Sequence, residues 1–171
     1  MSLPGQVSVN DLRYTTRGAL YVPAGEGATM WAAGDIYEIK AAATQTNGVL
    51  GFIDATVPPG GGPPPHLHED QDETFYMVSG ELEFLDGDHT FIARPGDFVH
   101  VPRGIRHRFN NKGLHAAKMI FLFTPGGPEQ TFLDAFPKAI PGRTPEPLTE
   151  EQLKHMEQVS HLSNTLFLPD L

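Results

Sequence analysis

From residue 30 to residue 123 the chain alternates apolar and polar positions in short runs, as in Ile53-Asp54-Ala55-Thr56-Val57 and Glu81-Leu82-Glu83-Phe84. A period of two sends successive side chains to opposite faces, the mark of half-buried strands. Strands are predicted over residues 19–23, 30–31, 36–41, 48–57, 73–79, 81–85, 89–93, 97–102, 107–110 and 116–123. Gly80 and Asp86-Gly87-Asp88 separate successive runs as tight turns. Pro58-Pro59-Gly60-Gly61-Gly62-Pro63-Pro64-Pro65 is a loop or a sheet edge, because proline cannot donate to a ladder. Many short strands without intervening helices predict an antiparallel sandwich or barrel.

Beyond residue 125 the pattern changes. Gly127-Pro128-Glu129 is a helix start with proline in the first turn, and Pro137 ends that helix. Residues 137–147 form a proline-punctuated connector. A second helix is expected from Thr149, with capping-box spacing between Thr149 and Gln152 and staple spacing between Leu148 and Leu153. Glu150 and Glu151 favour its N-terminus, and Leu153, Met156 and Val159 give it a modest apolar face. That face is expected to pack on the barrel or on a partner chain. The organisation expected is one domain: N-terminal strands or arm over residues 1–35, a barrel over 36–125, and C-terminal helices and tail over 126–171.

Composition narrows the class. A chain of 171 residues can bury one real core, and 39% hydrophobic against 19% charged residues suits a folded protein. The absence of cysteine excludes disulfides, thiolate metal ligands and a cysteine nucleophile. A formal charge of −9 argues against a nucleic-acid partner, which would need clustered Lys and Arg. The opening MSLPGQVSVN has neither a basic start nor an apolar run, and no stretch reaches the roughly 18 apolar residues of a membrane helix. A cytoplasmic protein without membrane contact is expected.

The chemistry concentrates in two stretches. The first runs Gly60, five residues, His66-Leu67-His68, four residues, Glu73, six residues, Gly80; the second runs Gly96, five residues, Pro102-Arg103-Gly104, two residues, His107, three residues, Asn111. On a strand, His66 and His68 point to the same face. The run to Glu73 is long enough to turn a corner, and His107 can enter from a separate strand. Three imidazoles and one carboxylate suit one divalent first-row ion per chain, Fe, Mn, Co, Ni, Cu or Zn. Gln71 shares strand parity with Glu73, as an alternative ligand or a supporting partner. Glu69, Asp70 and Asp72 are expected as a solvated acidic lip, and His89, His115, His155 and His161 as surface residues. His100 is expected to pack within its strand, with a proton carrier near the metal as the alternative.

Both stretches resemble the two conserved motifs of the cupin superfamily, glycines, Pro102 and Asn111 included. The resemblance implies an all-β jelly-roll barrel with a short C-terminal helical extension, with His66, His68, Glu73 and His107 as metal ligands. Gly62-Pro63-Pro64-Pro65-His66-Leu67-His68, the run from Asp72 to Leu82, and the segment from Phe121 to Glu129 resemble small bacterial quercetinase-like cupins. This implies a quercetin 2,3-dioxygenase-like oxygenase acting on an aromatic or enolic small molecule, with Glu73 as the catalytic base. Two alternatives stay open: a metal-assisted polyketide cyclase or isomerase that consumes no oxygen, and a non-enzymatic binding barrel. Phe52, Phe75, Met77, Phe84, Phe109, Phe121 and Phe123 could line an apolar cavity or form the core. Family resemblance further implies a homodimer.

Overall fold

The protein was analysed as a computed structural model that describes residues 5, 8–32, 34–145 and 149–169, apart from the side chains of Gln152 and Leu153. Its strands are β1 (Ala28–Ala32), β2 (Asp35–Ala41), β3 (Gly51–Val57), β4 (His66–His68), β5 (Asp72–Ser79), β6 (Leu82–Asp86), β7 (His89–Ala93), β8 (Phe98–Val101), β9 (His107–Asn110), β10 (Ala117–Thr124) and β11 (Thr165–Phe167). Two helices, α1 (Pro128–Ala135) and α2 (Glu150–Leu162), lie between β10 and β11. One sheet runs β1-β2-β3-β10-β5-β8, the other β11-β4-β9-β6-β7. Every strand pairing is antiparallel. From β3 onward the chain passes repeatedly between the two sheets, which makes the jelly roll.

Alternation decides which side chains fill the interior. In β3, Ile53, Ala55 and Val57 are buried, and Met119, Phe121 and Phe123 of β10 are buried beside them. Phe75 and Met77 of β5 meet Phe84 and Phe109 from the other sheet, with Phe75 and Phe84 ring centroids 5.1 Å apart. Each such phenyl stabilises the fold by about 1.5–3 kcal/mol through apolar area removed from water.

The C-terminal extension closes one end of this core. Phe132, Ala135 and Phe136 of α1 and its C-cap pack onto it, and Met156 and Val159 of α2 pack beside them. Glu129, fully buried, accepts hydrogen bonds from the backbone N–H of Ala43 at 2.6 Å and of Gly127 at 2.7 Å. Gly51 lies against that carboxylate, where a Cβ would come within 2.1 Å of Glu129 Oε2. Any larger residue at position 51 would displace the anchor of α1. After α2 the chain turns through Ser163 and Asn164, and β11 adds to the edge of β4 in the register Thr165 opposite His68 and Phe167 opposite His66.

Two local expectations change, and one strand, β11, was not expected. Residues 19–23 form no strand: Tyr21 is 83% exposed and no described strand pairs with the segment. The strand predicted from residue 48 begins at Gly51, because Asn47 (φ 52°) and Gly48 (φ 78°) turn left-handed and cannot join a ladder. β11 arises from a three-residue run too short to show a period. The capping and staple pairs expected at Thr149–Gln152 and Leu148–Leu153 involve positions outside the described residues.

Candidate metal centre

The spacing His66-Leu67-His68 becomes the short strand β4, on which both imidazoles are buried and turned to the barrel interior. His107 begins β9 directly across the ladder from His66. Glu73, the second residue of β5, reaches the same point from the opposite sheet. Its Oε2 lies 2.8 Å from His107 Nε2, 3.2 Å from His68 Nε2 and 3.9 Å from His66 Nε2. One donor atom from each of the four lies within 4.8 Å of all the others.

The outward nitrogens are also engaged. His66 Nδ1 meets Pro64 O, His107 Nδ1 meets Ile105 O, and His68 Nδ1 meets Thr165 Oγ1, each at 2.9 Å. A ring that donates its Nδ1 hydrogen keeps the Nε2 lone pair for an ion. Two ligands about 2.1 Å from a shared ion stand about 3 Å apart at right angles and about 4 Å apart when opposite. The separations to Glu73 Oε2, 2.8, 3.2 and 3.9 Å, fall in that range. The donor set therefore fits a divalent first-row metal.

His66, His68 and Glu73 form one wall of a cavity of about 100 Å³, and His107 stands behind it, 2% exposed. Phe109, Phe121, Phe123, Phe132, Phe136 and Phe167 supply most of the remaining surface, with Tyr37, Thr131, Ser160 and Thr165 as further polar side chains.

A family model described as cupin domain matches residues 54–123. The chain is 31% identical over 103 residues to the tetracenomycin polyketide synthase protein TcmJ of Streptomyces glaucescens, a match that covers 58% of this chain and 67% of that one. The chain belongs to the cupin superfamily. This cupin is also 30% identical over 102 residues to the quercetin 2,3-dioxygenase of Bacillus subtilis strain 168. That match takes in 60% of this chain and only 30% of the dioxygenase's length. The solved structure of KdgF from Halomonas sp. shares the cupin fold, with a TM-score of 0.57 and 21% identity across 67% of this chain and 99% of that one.

Electrostatics follow from burial and mutual contact. Burial alone would raise the Glu73 carboxyl, but hydrogen bonds from His107 and then His68 outweigh it and hold the group far below the ordinary carboxylate range. Burial first, then the neighbouring charges of His107 and His68, push His66 down to about 3, so it stays neutral and ready to ligate. Burial pulls His107 down too, but the hydrogen bond and charge of Glu73 prevail and raise it above its ordinary value.

No side-chain hydrogen bond among the described residues joins the other sequence candidates to this cluster. Gln71 is buried near Gly127 at the start of α1; its Oε1 has no partner and no hydrogen bond among the described residues joins it to the four. His100 is neither packed nor near the cluster. It stands exposed on the outward face of the six-stranded sheet, paired with Thr74 Oγ1 at 2.9 Å, because its parity matches Thr74 and not Glu73. Glu69 and Asp70 are exposed, while Asp72 is tied to Arg103 at 3.0 Å. His89, His115, His155 and His161 lie on the surface. Of the aromatic candidates, Phe109, Phe121 and Phe123 line the cavity; Phe75, Met77 and Phe84 are core, and Phe52 faces the other side of β3.

One polar pair was missed. Asp35, 1% exposed, accepts a hydrogen bond at 3.1 Å from the hydroxyl of Tyr37, a residue that lines the cavity, and its Oδ1 has no partner. An acid on the inward parity of an alternating strand, two residues before a tyrosine, was the available signal. Burial raises its carboxyl to about 7, against the smaller opposing pull of Tyr37 and the Gly62 N–H.

The sign of its effect is fixed. Below the ordinary value of 3.8 both folded and unfolded chains hold the proton, and above about 7 both have lost it. Between those limits only the folded protein keeps it, so stability is lost as pH rises through the window. Asp35→Asn should remove this loss, gaining on the wild type between pH 4 and pH 7.5 by up to roughly 4 kcal/mol. Urea unfolding at both pH values measures it; a wild-type to variant difference that does not change with pH would contradict the assignment.

Proposed function

We propose that this cupin is a metal-dependent oxygenase of the quercetin 2,3-dioxygenase-like type. Its substrate would be an aromatic or enolic small molecule, bound at a centre held by His66, His68, Glu73 and His107. The observation that carries the reading is the convergence of three buried imidazoles and one carboxylate, of which His66, His68 and Glu73 line a mostly apolar cavity. The group to be held is one divalent ion per chain, Fe, Mn, Co, Ni, Cu or Zn. When bound, it supplies a Lewis acid that lowers the pKa of a substrate hydroxyl.

The protein's own part is to position and to exclude. The Nδ1 hydrogen bonds fix the three rings with Nε2 inward. Glu73 Oε2 accepts the proton of the substrate hydroxyl. The phenyl walls keep water from the reacting atoms, and the Tyr37 ring joins them while its hydroxyl donates to Asp35. At about 100 Å³ the cavity suits a single ring, and a larger substrate requires the wall formed by Phe132, Met156 and Phe167 to yield.

The similarity to a polyketide synthase protein favours a second reading, in which the same centre polarises a carbonyl of a polyketide-like substrate without using oxygen. A binding barrel without turnover is the third. No helix among the described residues is long and apolar enough to cross a membrane, and the proposed setting is the cytoplasm. The proposed assembly is a homodimer, supported by the exposed apolar side chains Tyr76, Val78 and Phe98 on the outward face of the larger sheet.

Elemental analysis of untagged protein should give close to one ion per chain, and His66→Ala or His107→Ala should each lower the content at least tenfold. Full retention in both would remove the ligand assignment. In an oxygen electrode, turnover of flavonols or hydroxylated aromatics should consume dioxygen, and Glu73→Gln should lower the rate by about 10²–10⁴-fold. Turnover without oxygen uptake would favour the second reading, and unchanged turnover in Glu73→Gln would exclude its role as base. Light scattering should give twice the chain mass; a monomer mass would contradict the dimer.

A further inference from the structure

Two of the three rings are steadied by their own neighbourhoods. His66 and His107 each give Nδ1–H to the carbonyl two residues earlier, Pro64 O and Ile105 O. His68 differs, because its partner is the Oγ1 of Thr165, 97 residues further along the chain. Thr165 is buried and stands on β11 directly opposite His68.

A chain of hydroxyls continues from there. Thr165 Oγ1 lies 3.1 Å from Ser163 Oγ, which lies 3.3 Å from Thr131 Oγ1 and 3.0 Å from Ser160 O. Each hydroxyl has one hydrogen, and a carbonyl can only accept. Ser163 therefore donates to Ser160 O, which leaves its oxygen to accept from Thr165 and from Thr131. With its hydrogen so used, Thr165 can only accept from His68 Nδ1–H. This is the one assignment that satisfies all four contacts, and it puts the single N–H of a neutral His68 on Nδ1, so that Nε2, 3.2 Å from Glu73 Oε2, is bare for an ion.

We infer that Thr165 is a positioning residue for His68, and that the segment α1–α2–β11 is through it a working part of the metal centre. The inference rests on the reading of the four clustered side chains as metal ligands. Its consequence is a mechanical link. Thr131 and Ser160 line the cavity on the same segment, so a ligand that displaces this wall disturbs the hydroxyl chain that orients His68. The C-terminal extension senses what fills the cavity and passes it to a metal ligand.

The test compares Thr165→Val, which keeps size and branching, with Thr165→Ser, which keeps the hydroxyl. Zn(II) is titrated in competition with a chromophoric chelator, and the imidazole N–H protons of the Zn(II)-loaded protein are followed by proton NMR. Thr165→Val should weaken Zn(II) binding about 10- to 100-fold and speed solvent exchange of the His68 Nδ1–H alone. Thr165→Ser should restore both. Ser163→Ala, which removes the anchor without touching β11, should shift both readouts in the same direction and serves if Thr165→Val fails to fold. Wild-type affinity and exchange in Thr165→Val or, should that variant not fold, in Ser163→Ala would overturn the inference, as would a Ser variant no better than Val. A wild-type protein that takes up no Zn(II) would instead remove the ligand reading, and the inference with it.

Discussion

A carboxylate withdrawn from water is costly unless donors or a cation surround it, and three imidazoles gathered without a shared partner would leave unpaired lone pairs in a dry site. The interior of this barrel is organised around that constraint. Glu73 reaches from one sheet into a ring of His66, His68 and His107 on the other, so the two layers meet at a polar point inside an apolar core. Without a metal, an imidazolium at His107 gives Nδ1–H to Ile105 O and Nε2–H to Glu73, which satisfies part of the need. A divalent ion satisfies all of it, which is why the donor geometry and the outward Nδ1 partners make sense together.

The fold supplies what the cluster needs. Antiparallel pairing of β4 with β9 sets His66 beside His107, and the spacing of two in β4 brings His68 to the same face. The C-terminal extension does more than cover the end of the barrel. It contributes Phe132, Phe136 and Phe167 to the cavity wall and Thr165 to His68, and it is fastened by Glu129 through two backbone amides. Closure of the cavity and orientation of a ligand thus depend on the same short piece of chain.

Much of this was legible from local pattern. The alternation in Ile53 to Val57 and the spacing His66-x-His68 report strand geometry directly, since a period of two has few other readings; that Glu73 and His107 join them was implied by the resemblance to the cupin motifs. What escaped depends on distant parts of the chain. Thr165 gains its role only because β11 lands on β4, and nothing within Thr165-Leu166-Phe167 announces a partner nearly a hundred residues away. His100 was misplaced because a single polar residue in a strand gives no parity by itself; pairing with Thr74 settles which face it takes. Asp35 was overlooked because it precedes the alternating run that was recognised, although it shares the inward parity of Tyr37 and Ile39.

The central claim is that side chains from β4, β5 and β9 grip one ion together. X-ray absorption at the metal edge of Zn(II)- or Co(II)-loaded protein tests this most directly. Expected is a first shell at about 2.0–2.2 Å with the multiple-scattering signature of three imidazoles and at least one oxygen. A shell made only of oxygen, or one whose imidazole scattering is undiminished by loss of the His66 and His107 rings, would contradict it.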